Sequence, residues 1–501
     1  MAPEHRRGSP APRFAFDNSY ARLPERFYAR LLPTPVAEPR LVKINRGLAI
    51  ELGLDPDALA SPEGVGVLGG NRIAPGSEPI ALAYAGHQFG HFVPQLGDGR
   101  AILLGEVVDQ AGRRRDLQLK GSGITPFSRN GDGRAALGPV LREYLVSEAM
   151  AALGIPTTRT LAAVTTGEPV YREAALPGAV LTRVASSHIR VGTFQFFAAR
   201  GDREALRLLA DHAIARHDPG VAGAAEPYRA FLEGVLARQA SLVAQWLLVG
   251  FIHGVMNTDN TAVSGETIDY GPCAFMDTYD PATVFSSIDH RGRYAYGNQP
   301  NIAAWNLARL AEAILPLLAD DGARAVAIAT EVIGTYPALF SRALVAGLRR
   351  KLGLFTELEA DAEMVQALLD AMAANHADFT LTFRRMCAAA EIPSDDAPVR
   401  ELFDEPDAWD EWAPRWRGRL AQERQTPREH ADLMRQANPA FIPRNHRVEA
   451  ALAAAVDRHD FGPFEELLLV LSRPYEDPAA FAAYADPPGP EQRVYRTFCG
   501  T

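Results

Sequence analysis

Residues 251–271, FIHGVMNTDNTAVSGETIDYG, carry His253, Asn260 and Asp269 in the order His-x6-Asn-x8-Asp-x-Gly. They continue a strongly apolar run, LVAQWLLVGFIHGVM. That run is interrupted by Gln245 and His253 and is short for a membrane span, so it reads as a buried helix. The chain therefore needs a fold in which a polar loop leaves a buried helix and a second acid returns to it. Asn260 and Asp269 offer the hard oxygen donors that suit Mg²⁺. Asp259, beside Asn260, is the candidate base, and His253 reads as a structural loop residue.

The rest of the pattern narrows the fold class. Residues 1–80 are rich in Pro and Gly, with short helical patterns such as RLPERFYARL. From Ala81 to about Val184 the runs ALAYAG, RAILLGEVV and RDLQLKG read as strands. A helix is predicted over Gly138–Leu153, with Pro139 in its first turn and Gly154 after its end. Two more strand-like runs follow, TRTLAAVTT and GAVLTRVA. From about residue 200 the periodicity is helical, and the stretch from Asp396 onward is rich in Pro, Trp and charge. The expectation is an α+β chain in four parts: 1–80, 81–190, 191–395 and 396–501. Five strands with one helix after the third is the layout of a protein-kinase small lobe, which implies a two-lobed fold. The polar loop keeps the kinase order too, but Val255 stands two residues after the His, where a kinase has its catalytic Asp.

Of the 51 Lys and Arg residues only Lys43, Lys120 and Lys351 are lysine. A lysine kept in such a chain is a candidate for placing a compact ammonium on phosphate oxygens. Lys120 ends a predicted strand, the position of the phosphate-gripping lysine in kinases, whose partner is a Glu on the next helix. Glu143 and Glu148 both lie there, pointing in different directions, and Glu143 is the mid-helix choice. Ahead of Lys120, the GDGR turn (Gly97, Asp98, Gly99, Arg100) suits close backbone approach to phosphate. A second GDG with Asp132 and Gly133 follows Lys120, although either turn alone reads equally well as a hairpin or connector. Arg183 and Arg190 lie seven residues apart and are candidates to face one cleft.

Long runs of the chain resemble the selenoprotein O family: FDNSYARLPERFY, YAGHQFGHFVPQLGDGRAILLGE, DLQLKGSGITPFSRNGDGRAAL, LREYLVSEAM, HGVMNTDN, DYGPCAFMD and YGNQPNIAAWNLARLAEAILPLL. The resemblance implies a kinase-fold protein adenylyltransferase that binds ATP with the nucleotide turned round. AMP then passes to Ser, Thr or Tyr hydroxyls of proteins and pyrophosphate leaves, so Val255 replaces a base that has nothing to do there. It further implies an ATP site of Gly97, Gly99, Arg100, Lys120, Asp132, Gly133, Arg183 and Arg190. Asp259 is implied as proton acceptor, Asn260 and Asp269 as Mg²⁺ ligands (Mn²⁺ as the alternative ion), and Glu143 as the partner of Lys120. Eukaryotic members of the family carry selenocysteine near the C-terminus where this chain has Cys499; Cys273 and Cys499 are candidates for a regulatory disulfide, with two unconnected thiols as the alternative reading.

A net charge of −10 argues against nucleic acid as partner, and Arg113-Arg114-Arg115 reads as a solvated turn. No membrane association is expected. Three cysteines and an N-terminus without an apolar h-region fit the bacterial cytoplasm. The partners expected are ATP and hydroxyl-bearing proteins, self-modification included. The rival readings are ordinary γ-phosphoryl transfer and a silent ATP-binding scaffold.

Overall fold

The computed structural model describes residues 12–392 and 394–498. Its strands are β1 (Tyr28–Arg30), β2 (Arg40–Ile44), β3 (Ile80–Leu82), β4 (Gly86–Gln88), β5 (His91–Val93) and β6 (Ala101–Val108). They continue with β7 (Arg114–Lys120), β8 (Ala135–Ala136), β9 (Arg159–Tyr171), β10 (Ala175–Ala185), β11 (Phe251–Ile252) and β12 (Ala274–Phe275). Eight form one antiparallel sheet in the order β1-β3-β6-β7-β10-β9-β2, with β8 alongside β10. With the many helices around it, the chain is α+β.

The central strands follow from period-two patterning. In β7, Leu117 and Leu119 join Leu48, Leu59, Leu68, Val164 and Val180 in a core under the helices Arg46–Glu51, Pro56–Ala60 and Pro62–Leu68. Gln118 and Lys120 alternate to the opposite face. Gln118 pairs with Arg183 and Lys120 with Leu181 of β10, so Lys120 and Arg183 share that face. The helix Leu137–Ala152 packs on the same side against Leu103, Ala163, Ala179 and Leu181. It ends as its sequence asks: Gly154 sits at φ 79° and the Ile155 N–H reaches the Met150 carbonyl at 3.0 Å.

Two local expectations give way to tertiary pairing. Tyr28–Arg30, inside the helical-looking RLPERFYARL, is strand β1 against β3, preceded by two short 3₁₀ turns. In ALAYAG only the first residues stay in the sheet; Gly86–Gln88 leaves it to form the separate β4–β5 hairpin around Phe89 and Gly90. Both turn residues have positive φ, 52° and 85°, the backbone of a tight two-residue hairpin. From the Pro- and Gly-rich stretch come β1 and β2, which occupy the two edges of the sheet.

The helices Val191–Ala198, Pro227–Leu248 and Gln299–Leu318 share one continuous core with the helix Leu137–Ala152. The β11–β12 ribbon pairs Phe251 with Phe275 and holds the ends of the loop between them. Behind the helix Leu137–Ala152 lie Asn445–Arg458 and Gly462–Leu471: Phe464 meets Tyr144 edge-on at 5.7 Å, and Glu449 pairs with the buried Arg142. Near the end of the described chain, Thr497 hydrogen-bonds Phe285 and Ser287 through its backbone, and its hydroxyl donates to the Pro272 carbonyl at 2.5 Å.

Candidate active site

A cleft of about 820 Å³ lies between the polar face of the sheet and the loop 253–271. At its inner end Lys120 donates to Glu143 at 2.6 Å and to Asp269 at 3.0 Å. Arg183 reaches the same two carboxylates at 2.5 and 2.6 Å. Arg190 donates to the other Asp269 oxygen at 3.0 Å and stacks on Tyr84 at 4.6 Å. Three cations thus share two carboxylates. Burial alone would raise the Asp269 carboxyl, but Arg183, Lys120 and Arg190 outweigh it and hold the group well below the usual range. The same balance keeps Glu143 low: burial raises it, and Arg183 and Lys120 more than offset that. Glu148 is taken elsewhere, by Arg159 at 2.7 Å and Asn45.

Asp269 occupies the left-handed region at φ 66°, which Asp tolerates better than most residues. His253 helps keep it there. Its Nε2 lies 2.9 Å from the carbonyl of Ile268, so Nε2 carries the proton; Nδ1 accepts from the Val255 N–H at 3.3 Å. The ring is buried and neutral, a clamp between loop and acid. Val255 lines the cleft, and its carbonyl accepts from Asn260 Nδ2 at 3.0 Å.

Asp259 meets a different environment. Gln88 donates to Oδ2 at 3.2 Å, while the buried Oδ1 has no hydrogen-bond partner. Burial pushes this carboxyl up to about 6, against the partial opposing pull of Arg190 and Gln88. The β4–β5 hairpin holds the loop beneath it: His87 N–H donates to the Thr258 hydroxyl at 2.7 Å and Phe89 N–H to Asn257 at 3.0 Å. Gly86 is required there, because a Cβ would lie 2.5 Å from Asp259 Oδ1.

The glycine turns frame the outer part of the cleft. Gly97, at φ 100°, lies under Phe127, whose ring a Cβ would strike at 2.4 Å. Gly99, Arg100 and Gly133 line the same space. Asp132 stands at the rim, half exposed, and accepts from Arg172 at 2.8 Å and from the Arg134 N–H at 2.9 Å. Every ATP-site, base and metal-ligand residue proposed from the sequence borders this one cleft except Glu143, which sits just behind Lys120, and the structural His253 is buried behind the loop.

Sequence reasoning named no role for Tyr84, Gln88, Phe89, Asp98, Phe127 or Ile288, all of which line the cleft. Asp98 is the informative omission. Buried at the centre of GDGR, it accepts from Gln118 at 3.0 Å and the Leu82 N–H at 3.1 Å, and so ties the turn to the sheet. No local signal announces such ties, whose partners are distant in sequence.

No group of three or more His, Cys, Asp or Glu side chains gathers as a metal site among the described residues. The donor set still fits a hard divalent ion completed by phosphate or water, because Asn260 and Asp269 both open with oxygen donors on the same cleft. Cys273 is a free buried thiol that burial pushes up to about 12. Cys499 lies outside the described residues, and with it the candidate Cys273–Cys499 disulfide.

The family described as Protein adenylyltransferase SelO matches residues 10–472. A protein of Bradyrhizobium sp. strain BTAi1 is 68% identical over 488 residues, spanning 97% of this chain and 99% of its own length. Proteins of Rhodopseudomonas palustris strain BisB5 and Methylorubrum populi are 67% and 68% identical with the same coverage. All three bear the name Protein nucleotidyltransferase YdiU.

Proposed function

This chain belongs to the SelO family of protein adenylyltransferases, and from that premise we propose how its cleft transfers AMP from ATP to protein hydroxyls. One observation carries the reading: three cations around Asp269 and the carboxyl group of Asp259 border a single cleft. Lys120, Arg183 and Arg190 suffice for a whole pyrophosphate, more charge than a terminal phosphoryl group asks for.

The acceptor hydroxyl oxygen attacks the α-phosphorus of ATP. The bond from that phosphorus to the bridging β-oxygen breaks, and pyrophosphate leaves with the electron pair. The Asp259 carboxylate takes or orients the hydroxyl proton, with Gln88 donating to its Oδ2 and Gly86 packed against its Oδ1. Glu143 holds Lys120 and Arg183 in place. Gly97, Gly99, Arg100, Asp132 and Gly133 border the remainder of the nucleotide. Asn260 and Asp269 would hold Mg²⁺ or Mn²⁺, whose charge, when bound, offsets that of the phosphates. Lys120, Arg183 and Arg190, which now hold Asp269, would turn to phosphate oxygens when ATP binds, leaving the Asp269 carboxylate available to such an ion.

In this reading residues 81–190 and 191–395 are the two lobes of a kinase-like fold, and 1–80 and 396–501 are extensions packed on them. The family match over residues 10–472 supports it. The bacterial cytoplasm is the compartment proposed, in keeping with the free thiols of Cys273 and Cys387. Among the described residues no helix is long and apolar enough to cross a membrane.

Intact-mass spectrometry of an acceptor protein incubated with ATP and Mg²⁺ tests the reaction. The acceptor should gain adenosine monophosphate, with one pyrophosphate released per addition. A gain of phosphate alone contradicts the proposal.

A further inference from the structure

The basic residues of this chain are mostly neutralised by neighbours. Arg113 pairs with Asp109 and Glu51, Arg114 with Asp17 and Glu106, and Arg115 with Asp109 and Glu266. The run Asp289-His290-Arg291-Gly292-Arg293 departs from that pattern at the mouth of the cleft, where Arg129 on the opposite side is also outside any ion pair among the described residues. Among the described residues no carboxylate lies in ion-pair range of His290, Arg291 or Arg293. Its own acid is turned inward: Asp289 accepts from the backbone N–H groups of Arg293 at 2.9 Å and Tyr294 at 2.7 Å, which uses both oxygens. His290 and Arg291 are exposed. Arg293 is half-buried, its guanidinium 4.8 Å from the Trp305 ring, with no hydrogen-bond partner at Nε. In a chain with 61 acidic and 51 basic residues, this is a local reversal of sign.

Its location gives the reversal meaning. Ile288, immediately before the run, lines the active-site cleft and is 45% exposed. Phe89, on the hairpin that holds Asp259, lines it too and meets the Tyr294 ring at a tilt, 5.1 Å between centroids. A protein hydroxyl entering toward Asp259 over this lip brings its flanking residues across His290 and Arg291. The lip is also fixed in advance. Thr497 hydrogen-bonds Phe285 at 2.8 Å and Ser287 at 3.0 Å, and the Asp289 turn follows directly. A preformed surface spends little free energy on ordering when it binds.

We propose that the 288–293 lip selects acceptor proteins whose modified hydroxyl is flanked by Asp or Glu. The carboxylates meet Arg291 and Arg293 while the hydroxyl reaches Asp259. The inference deepens the AMP-transfer reading and rests on it. An overall charge of −10 disfavours nucleic acid as the occupant, and against that background the lip supplies a local attraction for carboxylates beside the cleft.

The test uses the full chain with Mg²⁺ and ATP, and synthetic peptides carrying one Tyr flanked by Glu, Gln or Lys. AMP incorporation should favour the Glu peptide over the Lys peptide by about tenfold in kcat/KM at low salt. Arg291→Glu, at an exposed position, should abolish or reverse that order without changing ATP affinity. Equal rates on all peptides, or an unchanged order in the variant, overturn the proposal. Binding of fluorescent Glu and Lys peptides, with a single-stranded oligonucleotide as competitor, is the second readout. Glu-peptide binding lost in Arg291→Glu but without AMP transfer supports the surface and counts against the transfer reading. Failure to bind the Glu peptide, or binding of the oligonucleotide in its place, overturns the surface.

Discussion

Asp269 and Asp259 face one cleft from the same loop, yet they are prepared for opposite tasks. Asp269 is crowded by Lys120, Arg183 and Arg190, which hold it ionised. The Asp259 carboxyl accepts from the Gln88 amide, lies against Gly86, and is pushed up to about 6 by burial in spite of the opposing charge of Arg190. In the proposed reaction the Asp269 end is a store of positive charge that carboxylates hold for the phosphates. The Asp259 end is shaped by hydrogen bonds and steric fit, as suits a group that must receive a proton or place a hydroxyl. Identical side chains thus differ by what the fold sets beside them.

That contrast can be broken from either side. Removing the ammonium in Lys120→Ala leaves Glu143 and Asp269 facing the phosphates with less compensation, and initial rates of AMP transfer should fall by about a thousandfold or more. Arg183→Met removes one of the cations on Glu143 and Asp269 and leaves Lys120 and Arg190, so chemical denaturation should show a loss of about 2 kcal/mol in stability. At the other end, Gly86→Ala drives a methyl into Asp259; the rate should fall about a hundredfold while ATP binding, measured by calorimetry, is kept. Gln88→Ala removes one hydrogen bond from Asp259 and should cost about fivefold in kcat, again without loss of ATP affinity. If the Gly86 and Gln88 variants weakened ATP binding as strongly as Lys120→Ala does, the two ends would not be separate.

Much of the cation end is written locally. DLQLK alternates, the helix after it begins with Pro139 and stops at Gly154, and mid-helix Glu143 faces the lysine while Glu148 turns to Arg159. Lysine scarcity pointed at three residues, of which only Lys120 faces the cleft. Lys43 pairs with Glu465 near the surface. Lys351 lies buried 4.3 Å from the Phe383 ring, and burial pushes it down to about 7. Scarcity marks unusual surroundings, and phosphate is only one of them. The Asp259 end was hardly legible, because its supports come from a hairpin far away in the chain, joined by single hydrogen bonds such as Gln88 to Asp259. Such ties are decided by three-dimensional closure and leave no periodicity to read. The strand at Tyr28–Arg30 escaped for the same reason, since its helix-like residues are overruled by pairing with β3.

The central claim is that this cleft moves the α-phosphate of ATP onto protein and that Asp259 serves that step. It is tested most directly by incubating the protein and its Asp259→Ala variant with Mg²⁺ and ATP labelled on either the α- or the γ-phosphate. Protein-bound label from the α position alone, lost in the variant while ATP still binds, is the result expected. Label from the γ position, or α-label that survives in the variant, would contradict the account.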